Sequence, residues 1–158
     1  MSGTTATGEA MEPDTGAATM IRRWFEEVWN QGREDAIDQL LATDATMWGV
    51  GRPDVSSVGS GEFKQFYHAI RSAFPDTKIT VDHVAAEGDT AFARWTVTST
   101  HTGDAPGMPA TNTRLKIVGM SACRVKDGRI VEAWNIWDQI GMARQLAMLA
   151  APAATLFP

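Results

Sequence analysis

The chain has 158 residues, enough for one domain with a real core, and a net charge of −5, which argues against nucleic acid or an anionic membrane as a partner. Apolar residues make up 44% and charged ones 21%, an ordinary balance for a folded protein, and no apolar run is long enough to span a bilayer. A single cysteine, Cys123, excludes an internal disulfide and has no metal-ligand spacing around it, so it reads as a small buried apolar residue.

Residues 1–16 are Gly, Thr, Ala, Glu and Pro with almost nothing to bury, and they read as a disordered tail. They show no basic-then-apolar leader pattern, so a cytoplasmic protein is expected. Ile21, Trp24, Phe25 and Val28 then follow helical spacing, which predicts a helix from Ala17 to about Asn30, ended at Gln31-Gly32. A second, short helix buries Ile37, Leu40 and Leu41, and Thr43-Asp44 breaks it. Residues 45–50 are a short extended piece, and residues 51–60 are a loop. A third helix runs over residues 61–74 with Phe63, Phe66, Tyr67, Ile70 and Phe74 as its stripe, stopped by Pro75-Asp76.

After that the apolar period switches from helical to alternating. Ile79, Val81, His83 and Ala85 share one face, and Glu87-Gly88-Asp89 is a turn. Residues 91–101 and 113–125 are strands flanking a Gly/Pro-containing loop. Asp127-Gly128 is a tight hairpin signal, followed by a strand that carries Trp134, Asn135 and Trp137 towards one end of the sheet. Asp138 stands where the N-cap of a closing helix belongs, and residues 150–158 read as a loose tail. The expected fold is therefore α+β. Helices come first, and a curled four-stranded antiparallel sheet comes after them with a short closing helix. Residues 17–149 form one cone-shaped domain around an internal pocket.

Six motifs in order resemble one family. They are Val28-Trp29-Asn30-Gln31-Gly32, Ala73-Phe74-Pro75-Asp76, Glu87-Gly88-Asp89, Thr100-His101-Thr102-Gly103, Asp127-Gly128-Arg129-Ile130-Val131-Glu132 and Trp134-Asn135-Ile136-Trp137-Asp138. The chain is similar in these to the SnoaL-like ester cyclases, within the nuclear-transport-factor-2-like, ketosteroid-isomerase-like cone superfamily. The resemblance implies a cone fold, a cofactor-free ring closure of polyketide esters and a homodimer. It also puts the family's acid/base Asp at Asn135, its His near Ser121, its Tyr at Trp29 and its Asn near Phe66. None of those four residue types is kept, and an amide cannot serve as a general base. A looser resemblance, to limonene epoxide hydrolase, puts that enzyme's acid–arginine–acid row at Thr96, Arg94 and Asn135.

The resemblance turns Arg94 inward, and side-chain alternation then carries Thr96, Thr98 and Thr100 with it. His101, of opposite parity, goes to the outer face or the loop. The expected pocket holds Trp29, Trp48, Phe66 and Trp137 as aromatic walls, with Arg94, Ser121 and Asn135 as its polar groups. Asp138 is the nearest acid to Arg94 by topology, and it reads either as a helix cap or as the acid/base of the site. Trp95, Val97, Val118, Met120, Trp134 and Ile136 land on the convex face, an apolar patch that predicts a sheet-to-sheet homodimer.

No His, Cys, Asp or Glu set has metal-ligand spacing and no Gly-rich phosphate loop is present, so neither metal nor cofactor is expected. Three functions remain open. The first is a cyclase or isomerase acting on a small hydrophobic carbonyl compound, with Asp138 as acid/base and Arg94 and Asn135 holding oxygens. The second is an epoxide hydrolase, and the third a binding protein without catalysis.

Overall fold

The computed structural model describes residues 16–50, 56–104 and 108–148, so the two expected tails fall outside the described residues apart from Gly16. In chain order the elements are α1 (Ala17–Arg23), a π-helical stretch (Trp24–Asn30), α2 (Glu34–Leu40), β1 (Leu41–Trp48), β2 (Ser56–Val58), α3 (Gly59–Ala73), β3 (Lys78–Glu87), β4 (Thr90–Thr100), β5 (Arg114–Lys126), β6 (Arg129–Trp137) and α4 (Gln139–Gln145). The class is α+β, as expected.

The sheet is larger than expected. It has six strands in the order β2-β1-β6-β5-β4-β3, and it is mixed because β1 runs parallel to β6. The short extended piece around Met47 becomes a full strand because β6 and β2 flank it and bond its backbone on both sides. Ala45 and Met47 point into the core, while Trp48 points away from it. Part of the expected loop is β2, and the third helix starts at Gly59, where the Glu62 side chain accepts the Val58 N–H at 2.8 Å. Residues 51–55 of that loop lie outside the described residues.

The first helix has the expected span but not one geometry throughout. Gln31 N donates to Glu26 O at 2.9 Å, five residues back, which is the π spacing. The carbonyls near its end are satisfied from α3. Tyr67 Oη donates to Val28 O at 3.3 Å, and Arg71 Nη1 donates to Trp29 O at 3.0 Å. The Asn30 side chain then pairs with the Ile79 backbone in both directions, at 2.7 and 2.9 Å, which ties the helix end to β3.

Two local features set which side chains face inward. Asp127 and Gly128 have φ of 50° and 71°, the positive pair that a tight type I′ hairpin requires, and they join β5 to β6. On the other edge, β3 and β4 stay in register to Val81 opposite Trp95, and then His83 pairs with Arg94. Asp82 is the extra residue of that bulge, and it inverts the parity of the residues beyond it. Ile79, Val81 and Val84 reach the core, whereas His83 is exposed rather than on their face.

Candidate functional site

The inner face of the sheet and the π-helical stretch enclose a cavity of about 150 Å³, partly open to solvent. A cavity near this size, lined with apolar groups, holds a benzene-sized guest. Trp24, Phe25 and Trp29 come from the π-helical stretch and Phe63 and Phe66 from α3; Trp95 and Trp137 come from the sheet. All of these rings but Trp137 lean on another at tilted or edge angles, such as Trp24 on Phe63 at 4.9 Å and Trp29 on Phe66 at 6.3 Å. Among the described residues no Asp, Glu, Lys, Arg, His or Cys lines the cavity. Its polar side chains are Thr77, Ser99 and Asn135.

Asn135 is held by a directed chain of hydrogen bonds. The Trp95 indole N–H donates to Ser121 Oγ at 2.9 Å. Ser121 in turn donates to Asn135 Oδ1 at 2.7 Å, and Asn135 Nδ2 donates to the Trp48 carbonyl at 3.1 Å. An indole N–H only donates and a carbonyl only accepts, so both ends of the chain have a fixed sense. The amide can face only one way, and one of its two Nδ2 hydrogens is left over. Gly49 makes the approach possible: its φ is 71°, and a Cβ there would collide with the backbone carbonyl of Asn135.

Of the eight residues expected at the site, four line the cavity: Trp29, Phe66, Asn135 and Trp137. Ser121 sits behind Asn135 and orients it. Asp138 lies in a second depression, lined by Asn135 to Ile140, which shares Asn135 and Trp137 with the cavity. Its Oδ1 accepts the Gly141 N–H at 2.7 Å, so it caps α4 while standing beside the site.

The other two point elsewhere. Arg94 is on the outer face, its side chain 50% exposed, and donates to Asp82 Oδ2 at 2.7 Å. Asp82, carried there by the bulge, also accepts from Thr96, so Arg94 has its acid on the outside and does not meet Asp138. Trp48 is 40% exposed, turned outward by the alternation that buries Met47, and only its carbonyl serves the site. Strand β4 has the opposite sense to the one expected: Trp95, Val97 and Ser99 face the cavity, not Arg94, Thr96 and Thr98. That sense also explains His101, which is fully buried against Phe74 with ring centres 5.1 Å apart, rather than outside.

Trp95 is the main wall residue that sequence reasoning missed. A signal was present: Gly119 interrupts β5 directly opposite Trp95, and a glycine inside a strand often marks a close approach. The indole covers that glycine. Cys123 is buried, and burial pushes its thiol up to about 11, so it stays protonated and inert. No group of three or more possible metal ligands occurs among the described residues.

A family model described as SnoaL-like polyketide cyclase matches residues 19–146. The chain belongs to that family. Solved structures of similar shape include IdmH, a proposed polyketide cyclase from Streptomyces antibioticus, at 27% identity and TM-score 0.72, covering 83% of this chain and 98% of that one. A proposed polyketide cyclase from Acidithiobacillus ferrooxidans is 26% identical at TM-score 0.72, covering 89% and 100%. AclR, a proposed hydroxylase from Streptomyces galilaeus, is 26% identical at TM-score 0.74, covering 87% and 91%. No curated protein sequence matches the chain. The SnoaL-like match covers nearly all of the described fold, and solved structures of similar shape carry more than one description of activity. No helix among the described residues is long and apolar enough to cross a membrane.

Proposed function

We propose that this SnoaL-like chain is a cofactor-independent cyclase- or isomerase-type enzyme that moves a proton on a small, neutral, hydrophobic carbonyl compound. The supporting observation is the cavity itself: aromatic walls, no charged lining group among the described residues, and one amide of fixed orientation. The free Nδ2 hydrogen of Asn135 would bond the substrate's carbonyl oxygen. Among these apolar walls a fixed donor would stabilise the charge that builds on that oxygen as an enolate forms. Asp138, beside Asn135 at the rim, would take the α-proton and return it after the bond change.

A second reading, a binding protein without catalysis, is favoured by the lack of any ionisable group in the cavity wall among the described residues. The epoxide hydrolase reading keeps only Asp138, because Arg94 is engaged with Asp82 outside. The test is α-proton exchange on 2-tetralone in deuterated buffer, monitored by NMR. Catalysis at least about tenfold above buffer is expected, a lowering of the barrier by about 1.4 kcal/mol. It should vanish in Asp138→Asn, which keeps the helix cap because Asn caps as well as Asp. Exchange surviving in that variant removes Asp138 from the mechanism. Binding of 2-tetralone without exchange supports the binding protein.

We also propose a homodimer through the outer face of the sheet. Trp48 on β1 lies opposite Trp134 on β6, and that row continues through Ala122 on β5 to Phe92 on β4. Ile136, Met120 and Val118 extend it, and all of these but Ala122 are large exposed apolar residues. A monomer rarely leaves such a patch wet.

A further inference from the structure

The cavity has a second polar point, one strand-length away from Asn135. Thr77 and Ser99 are both buried, both line the cavity, and their hydroxyls lie 3.0 Å apart. Ser99 pairs with Leu115 and Asn135 with Ser121, so six residues of β5 separate the two points, roughly 20 Å of extended strand.

The protons at this second point can be traced. Thr77 Oγ1 lies 2.7 Å from the Phe74 carbonyl, which can only accept, so the single threonine proton is committed there. Ser99 is therefore the donor of the Thr77–Ser99 bond. The other acceptor within its reach is Asp76 Oδ1, at 3.4 Å. Hydrogen bonds from the Thr100 hydroxyl and backbone N–H keep Asp76 below the usual carboxylate range, so it is ionised and cannot donate back. Whichever acceptor Ser99 uses, neither hydroxyl has a proton left for a guest, and both keep lone pairs. Asn135 at the other point offers an N–H. The two points thus have opposite hydrogen-bonding sense.

We propose that Thr77 and Ser99 form a recognition point for a hydrogen-bond donor on the ligand, an O–H or N–H group, and that they select hydroxylated ring compounds over their ethers. This rests on the reading of the cavity as the binding site and adds which functional group the ligand must carry. Its neighbour Asp76 also disfavours a ligand that is anionic at that end.

The test compares 2-naphthol with 2-methoxynaphthalene by ligand-observed NMR titration of the intact protein. The two share a ring system, and only 2-naphthol can donate. The expected result is that 2-naphthol binds about five- to tenfold more tightly, the usual effect of one hydrogen bond in a dry site. In Ser99→Ala and in Thr77→Val that preference should fall to within about twofold, with 2-methoxynaphthalene binding unchanged. Equal affinity of the two compounds for the native protein overturns the proposal and needs no variant to do so. A preference that survives both substitutions also overturns it, while leaving the cavity as the binding site. If neither naphthalene binds, the cavity reading falls and takes this inference with it.

Discussion

At the scale of single residues, the site depends on one amide where the family resemblance expects an acid. Asn135 suits its neighbours. Its oxygen accepts from Ser121 and its nitrogen donates to Trp48, so each end meets a group of the right kind. A carboxylate in its place would set an oxygen against the Trp48 carbonyl. Asn135→Asp is therefore expected to lower stability by about 1 kcal/mol in thermal melts, the usual net worth of one lost hydrogen bond. It would also bring an ionisable group to a wall of indoles, where desolvation raises a carboxyl's pKa towards a useful base. Faster α-exchange on 2-tetralone should accompany the loss of stability. A variant both less stable and no faster would show that position 135 does not decide the chemistry.

Asp76 gives a second prediction at this scale. Its pKa is depressed in the fold, chiefly by the Thr100 hydroxyl, so its contribution to stability is present above the unfolded value and lost as pH falls through the folded one. Native protein should lose melting temperature below about pH 4, and Asp76→Asn should flatten that part of the profile while lowering stability at pH 7. An identical acid limb in the variant would assign the loss to other carboxylates.

At the scale of elements, the decisive feature is how side-chain parity passes between strands. The helices, strands β3 to β6, the hairpin at Asp127-Gly128 and the cap at Asp138 were legible because each rests on local rules of spacing and turn chemistry. So were Trp29, Phe66 and Trp137 as wall residues. The orientation of β4 was not, because the resemblance turned Arg94 inward, whereas the strand pairs with β5 without a break and holds Ala93 and Trp95 inside with Arg94 outside. Asp82 shifts the register and gives Arg94 an outside partner, and nothing within β4 itself records that. Strand β5 did carry the answer. Arg114, Lys116, Arg124 and Lys126 share one parity, which marks the wet face, and the pairing then places Trp95 inside opposite Gly119. β1 and β2 were hard to foresee for a different reason: their partners lie far away in sequence.

The Trp95–Gly119 contact is itself testable. A methyl group at position 119 would run into the indole ring, whose N–H is fixed on Ser121. Gly119→Ala should cost about 1–3 kcal/mol, as overpacking of a filled core does. It should also displace Trp95 into the cavity, so affinity for 2-methoxynaphthalene falls. Unchanged affinity in a folded variant would show that the indole has another place to go.

At the scale of the whole molecule, the sheet separates two apolar surfaces, a hollow one within and a flat one without. Val118, Met120, Trp134 and Ile136 were legible as outward residues, and Ile136 is 78% exposed. Trp95 and Val97, expected with them, belong to the interior, while Trp48 and Phe92 belong outside. Trp134→Asp is expected to turn a dimer into a monomer on size-exclusion chromatography with light scattering, because a charge would be buried at the centre of the joint. An unchanged elution mass would rule out this face as the interface.

Trp48 belongs to both surfaces at once. Its ring lies on the flat side, and its carbonyl steadies the amide on the hollow side. In the proposed dimer the two roles of Trp48 would meet, and dilution, by separating two copies, would then be expected to loosen the grip on a guest without anything touching the cavity.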